Sequence, residues 1–95
     1  MAAGNTVAGT NATAGNGTFT IQPGGSSEWI IHNLFYSGAC NIIVTDGTNA
    51  VTFMQPTGVG SLQNIKIHVT NSYYLQITDT SGSTNKMSYN GIQTI

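Results

Sequence analysis

Charge is what this 95-residue sequence has least of: charged side chains make up 5% of it, against about 25% in ordinary soluble proteins. Arg is absent, and the basic groups are Lys66 and Lys86. Two ammonium groups cannot neutralise a row of phosphates, so nucleic-acid binding by counterion release is excluded. An anionic membrane surface lacks a polybasic partner for the same reason. No apolar run approaches the ~20 residues of a membrane-spanning helix. Cys40 stands alone, so no intrachain disulfide staples the fold; within an apolar strand it reads as a small buried hydrophobe. Residues 1–14 have neither the basic nor the apolar segment of a secretory signal. The glycosylation sequons at Asn11 and Asn16 therefore carry little weight, and synthesis in a cytosol without export is expected.

Groups that could do chemistry are equally sparse. The side-chain carboxylates are Glu28, Asp46 and Asp79. Asp46 precedes Gly47, and Asp79 precedes Thr80-Ser81-Gly82, where local bonding to the backbone accounts for an Asp. A paired-carboxylate glycosidase needs two such groups across a cleft, for which so small a β domain has little room. His32 and His68 show no HxH or HxxxH spacing, and with Cys40 they would make a metal site only by long-range coincidence. Each is expected to bond a neighbouring carbonyl. No G-x-S-x-G elbow is present, and Gly58-Val59-Gly60 is followed by no Lys of a phosphate loop. The sequence thus predicts no catalytic residue, no metal and no cofactor. Trp29, Tyr36, Tyr73, Tyr74 and Tyr89 could form a sugar-stacking platform, although Trp29 and Tyr73 suit core or interface packing as well.

What is present is β-forming. From Thr18 onward apolar and polar residues alternate in short runs separated by turn residues. Candidate strands lie at 18–21, 28–36, 40–45, 50–54, 62–70, 73–78, 86–89 and 92–95, with Asp46-Gly47 a hairpin signal. Seven or eight short strands without a helical period predict an all-β fold, a compact antiparallel β-sandwich or jelly-roll-like module. Residues 18–95 would form this core. Residues 1–17 are almost wholly Ala, Gly, Asn and Thr, too poor in apolar area to offset an ordering cost of ~1–2 kcal/mol per residue. They are expected to be an extended arm ordered by contacts outside their own fold, with Asn5, Val7, Thr10, Asn11 and Thr13 touching a capsid or neighbouring subunit.

Strand 28–36 breaks the inside/outside rule. One face would carry Trp29, Ile31, Asn33 and Phe35, the other Ile30, His32, Leu34 and Tyr36. Both are apolar, yet a strand of a two-layer sandwich has one core to face. The second face predicts an oligomer interface, assigned to Ile30, His32, Leu34 and Tyr36. A small chain of net charge −1 offers no electrostatic resistance to self-association.

The runs Glu28-Trp29-Ile30-Ile31-His32-Asn33, Thr45-Asp46-Gly47-Thr48-Asn49, His68-Val69-Thr70-Asn71-Ser72-Tyr73-Tyr74-Leu75 and Tyr89-Asn90-Gly91-Ile92-Gln93-Thr94 resemble small virion proteins of tailed bacteriophages, in particular capsid decoration or cement proteins. The resemblance covers about 26–94 and omits the N-terminal segment. It implies a non-enzymatic β-sandwich, commonly trimeric, on the outer surface of the phage head. Its partners would be itself, as a homotrimer, and the major capsid protein, with synthesis in the host cytoplasm. Related modules occur on phage fibres, so the alternative is a receptor- or carbohydrate-binding module of a head or tail fibre.

Overall fold

The computed structural model describes residues 4–13 and 15–94. Within them nine strands form two antiparallel sheets packed as a β-sandwich. The strands are β1 (Thr6–Thr13), β2 (Thr18–Ile21), β3 (Trp29–Tyr36), β4 (Cys40–Thr45), β5 (Ala50–Met54), β6 (Gly60–Leu62), β7 (Ile67–Val69), β8 (Tyr74–Asp79) and β9 (Asn85–Gln93). The larger sheet runs β1-β9-β3, with β6 and β7 both on the far side of β3; the smaller runs β2-β8-β4-β5. β4 and β5 are the one consecutive pair of strands across a hairpin. There Asp46 accepts from the amides of Thr48 and Asn49 (2.9 and 2.7 Å), and Gly47 takes a positive φ of 93°, as the Asp-Gly signal predicts. Most other links cross between sheets, so the core forms from pairings distant in sequence.

The inner faces meet in one cluster. Val7, Ile31, Leu34, Tyr36, Val69 and Met87 come from the larger sheet, and Ile21, Cys40, Ile42, Leu75 and Ile77 from the smaller. Removing a side chain such as Leu34 from water contributes about 1.5–3 kcal/mol. Cys40 is buried, as expected of a lone thiol in an apolar strand.

The described part of the N-terminal segment, residues 4–13 and 15–17, is not an external arm. Thr6–Thr13 pairs with β9 over its whole length, from Thr6 opposite Ile92 to Thr13 opposite Asn85. Val7 enters the core, Asn5 accepts a bond from the Gln93 amide (2.9 Å), and Thr10 meets the Ser88 hydroxyl (3.1 Å). Asn11 donates to Thr13, whose hydroxyl points to the Met87 sulfur. Low apolar content misleads here because a strand adjoining a formed sheet gains a ladder of backbone bonds and needs few buried side chains. Met1 to Ala3 and Ala14 lie outside the described residues.

The two apolar faces of β3 also have an internal explanation. Ile31 pairs with Gly91 and Asn33 with Asn90, so His32 is an extra residue, a β-bulge. The bulge reverses the alternation. Trp29 and Ile31 face inward before it, Leu34 and Tyr36 after it, and the latter two are buried (0% and 8% exposed). Leu34 and Tyr36 therefore belong to the subunit's own core and not to an oligomer interface. Ile30 and His32 are half-buried at the surface.

The span 62–70 divides into β6 and β7 around residues 63–66, where Asn64 has φ 59°. Conversely, 86–89 and 92–95 are not two strands: β9 is continuous, with Ile95 outside the described residues. It can be continuous because Gly91 leaves room for the bulged β3. A Cβ at Gly91 would lie 2.9 Å from Ile31 Cα and 3.0 Å from the Ile30 carbonyl carbon, and still nearer the Ile30 oxygen.

Candidate functional site

The bulge at His32 coincides with the departure of residues 63–66 from the other side of β3. Together they open a surface cleft of about 270 Å³ lined by His32, Asn33, Asn64, Ile65 and Lys66. Its rim is fixed by hydrogen bonds. Asn33 donates to the Asn90 side-chain oxygen (2.6 Å) and accepts from the Asn64 amide (3.3 Å), while the Ile65 amide donates to the His32 carbonyl (3.0 Å). The lining offers imidazole, ammonium and amide groups around one apolar side chain. Such a set can hold neutral polar or weakly anionic groups.

His68 does not bond a carbonyl. It projects from β7, and its Nε2 lies 2.9 Å from the Glu28 carboxylate, both groups substantially exposed. Among the described residues, no three of His, Cys, Asp and Glu converge as metal ligands, and no helix is long and apolar enough to cross a membrane.

The aromatic residues do not share one platform. Trp29 stacks on Tyr89 at 6.0 Å between ring centroids, Phe19 meets Tyr89 from the opposite sheet at 5.9 Å, and Trp29 Nε1 donates to the Gln93 side chain (3.3 Å). Burial raises the Tyr89 phenol above its ordinary range. Gly9 accommodates this ring, since a Cβ there would sit 2.6 Å from it. Tyr36 is core, Tyr74 is half-buried, and Tyr73 is exposed.

Asp79 does more than close a turn. It is 1% exposed and accepts from the Ser81 hydroxyl and amide (2.6 and 3.1 Å), the Asn16 amide (3.0 Å) and the Asn85 side chain (3.2 Å). Asn85, wholly buried, also donates to the Ala39 carbonyl (3.0 Å) and accepts from the Ser37 amide (3.1 Å). Three connections, 15–17, 37–39 and 80–84, are thereby tied at one end of the sandwich. The Ser81 hydroxyl and then the Asn16 amide hold the Asp79 carboxyl well below the usual carboxylate range. Burial, and secondarily this carboxylate, push the Cys40 thiol up to about 11. At Asp46, the amides of Asn49 and Thr48 lower the carboxyl in the same way. Asn85 gave no signal beyond a polar residue beside a loop, and its role depends on three distant segments meeting.

The third surface feature is apolar. Val51 and Phe53 on β5 are 61% and 41% exposed, and Val59 in the connection to β6 is 80% exposed. No charged residue occurs between Asp46 and Lys66.

No protein family and no curated protein matches this sequence.

Proposed function

We propose that this chain is a non-enzymatic structural protein of a bacteriophage virion, decorating or cementing the outer surface of the capsid. The reading is carried by the exposed Val51, Phe53 and Val59 on a stretch without charge, in a protein with few charged side chains. Such a surface associates through apolar contacts and neutral hydrogen bonds, which salt screens little. The resemblance read from the sequence alone over 26–94 points the same way. With Thr6–Thr13 locked to β9, attachment would run through the body of the sandwich. The test is addition of purified protein to phage heads lacking it, followed by sedimentation. Stoichiometric binding that changes less than about tenfold between low and high salt is expected, ~1.4 kcal/mol at most. No binding, or a steep loss in high salt, would overturn the proposal.

The cleft between His32 and Lys66 favours a second reading, a carbohydrate-binding module of a phage fibre. A glycan array separates the two, because a decoration protein has no requirement for saccharide.

A further inference from the structure

Two backbone departures meet at the cleft beside β3. His32 is the extra residue of the bulge, and bulges are over-represented next to functional sites, where they re-aim a side chain. Asn64 holds a left-handed φ of 59°, a conformation that is uncommon outside glycine and concentrates at ligand sites. Both are pinned before any ligand arrives. The Ile65 amide donates to the His32 carbonyl, and the Asn33 side chain accepts from the Asn64 amide while donating to Asn90. The groups left over define the chemistry. Among the described residues the His32 imidazole, the Asn64 side-chain amide and the Lys66 ammonium have no hydrogen-bond or ion-pair partner. No carboxylate lines the cleft. Glu28 faces His68, Asp46 closes the β4–β5 turn and Asp79 is buried in its own tie. One of the two lysines of the chain thus stands beside a pinned cleft that holds no anion of its own.

We propose that this cleft binds a carboxylate-bearing pyranose, a hexuronate, its carboxylate meeting Lys66 and its ring lying on Ile65. Each lining group then has a task. The ammonium gives the carboxylate a charge-assisted bond. Imidazole and amide groups can each donate and accept, as sugar hydroxyls require, and His32 and Asn64 supply them. Ile65 is half-buried and offers an apolar surface to the C–H face of the ring. A neutral sugar would leave Lys66 unused, and a small inorganic anion would leave Ile65 and Asn64 unused. At about 270 Å³ the cleft is smaller than the ~300–1,000 Å³ of pockets for drug-sized ligands, which limits it to about one ring. One ring on an open surface, with a single charge-assisted contact, should bind with a Kd of roughly 1 mM. Binding should weaken as salt rises, because Lys66 is exposed. This deepens the carbohydrate reading of the cleft and rests on it, adding the acid group that the sugar must carry.

Titration of the isotope-labelled full chain with sodium D-glucuronate, D-glucose and sodium acetate, followed by amide NMR shifts, tests it. Glucuronate should move the Asn33, Asn64, Ile65 and Lys66 amides with a Kd of roughly 1 mM, and glucose and acetate should each bind about tenfold more weakly or less. Lys66→Gln should weaken glucuronate about tenfold and leave glucose unchanged. Asn64→Gly keeps the left-handed backbone and should weaken both sugars. Lys66 and Asn64 are exposed, so these variants should fold, as thermal melts will verify. Lys86→Gln removes the other lysine, which lies on β9 outside the cleft, and should change nothing. Glucose binding as tightly as glucuronate, or Lys86→Gln weakening glucuronate as much as Lys66→Gln, would overturn the acid preference and leave the carbohydrate reading standing. Acetate binding as tightly as glucuronate, no shift with either sugar, or shifts away from the cleft would overturn both.

Discussion

Gly91→Ala should be among the most destabilising single-methyl additions this protein can receive. The new Cβ would come within 2.9 Å of Ile31 Cα and 3.0 Å of the Ile30 carbonyl carbon, whereas carbon atoms pack at about 3.5–4.0 Å. These neighbours are backbone atoms of β3 at the bulge, so no side chain can rotate away. Relief requires β3 and β9 to separate by roughly 0.5–1 Å, in a ladder whose strands ordinarily lie about 4.7–4.9 Å apart. Overpacking typically costs ~1–3 kcal/mol, and losing one or two ladder bonds adds ~1 kcal/mol each. The expected total is about 2–5 kcal/mol, a large part of the ~5–15 kcal/mol that holds a typical domain folded. At about 4–8 °C per kcal/mol for a domain of this size, Tm should fall by roughly 8–40 °C. Thermal unfolding followed by circular dichroism measures this. Gly58→Ala is the control, since a Cβ there meets nothing within 4 Å, and it should change stability by no more than about 0.5 kcal/mol. A Gly91→Ala protein melting within a few degrees of wild type would refute the claim that the bulge requires this close approach.

Three further outcomes follow from the core and its polar tie. Leu34→Ala should cost about 2–5 kcal/mol in denaturant unfolding, with assembly state unchanged where the variant is folded; dissociation into stable monomers would return Leu34 to an interface. Asp79, whose carboxyl is lowered by folding, contributes stability that is complete above the unfolded carboxylate range near pH 4 and is lost as pH falls below it. Asp79→Asn should accordingly be less stable at pH 7, and its melting temperature should fall less between about pH 4 and pH 2 than that of wild type. Cys40, buried and with its thiol raised to about 11, should react with a disulfide reagent at about pH 8 only as fast as the protein opens, and immediately in denaturant. Rapid labelling of the native protein would contradict its burial.

The sequence by itself determined the all-β class, most strand positions, the Asp46-Gly47 hairpin and the burial of Cys40, because alternation and turn chemistry are local properties. It also contained the bulge in β3 in coded form: inward apolar residues at odd positions 29 and 31 change to even positions 34 and 36. Period-two reasoning turns that change of phase into two apolar faces and so assigns the core residues Leu34 and Tyr36 to an interface. Only the pairing of β3 with β9, and the missing side chain at Gly91, identifies His32 as the extra residue. Residues 6–13 were illegible for a complementary reason, since their order comes from backbone bonds to a strand some eighty positions away, which no local composition records. The Asp79–Asn85 tie and the open β5 edge were likewise decided by tertiary structure. Both depend on which strands lie side by side, and that is a property of long-range register.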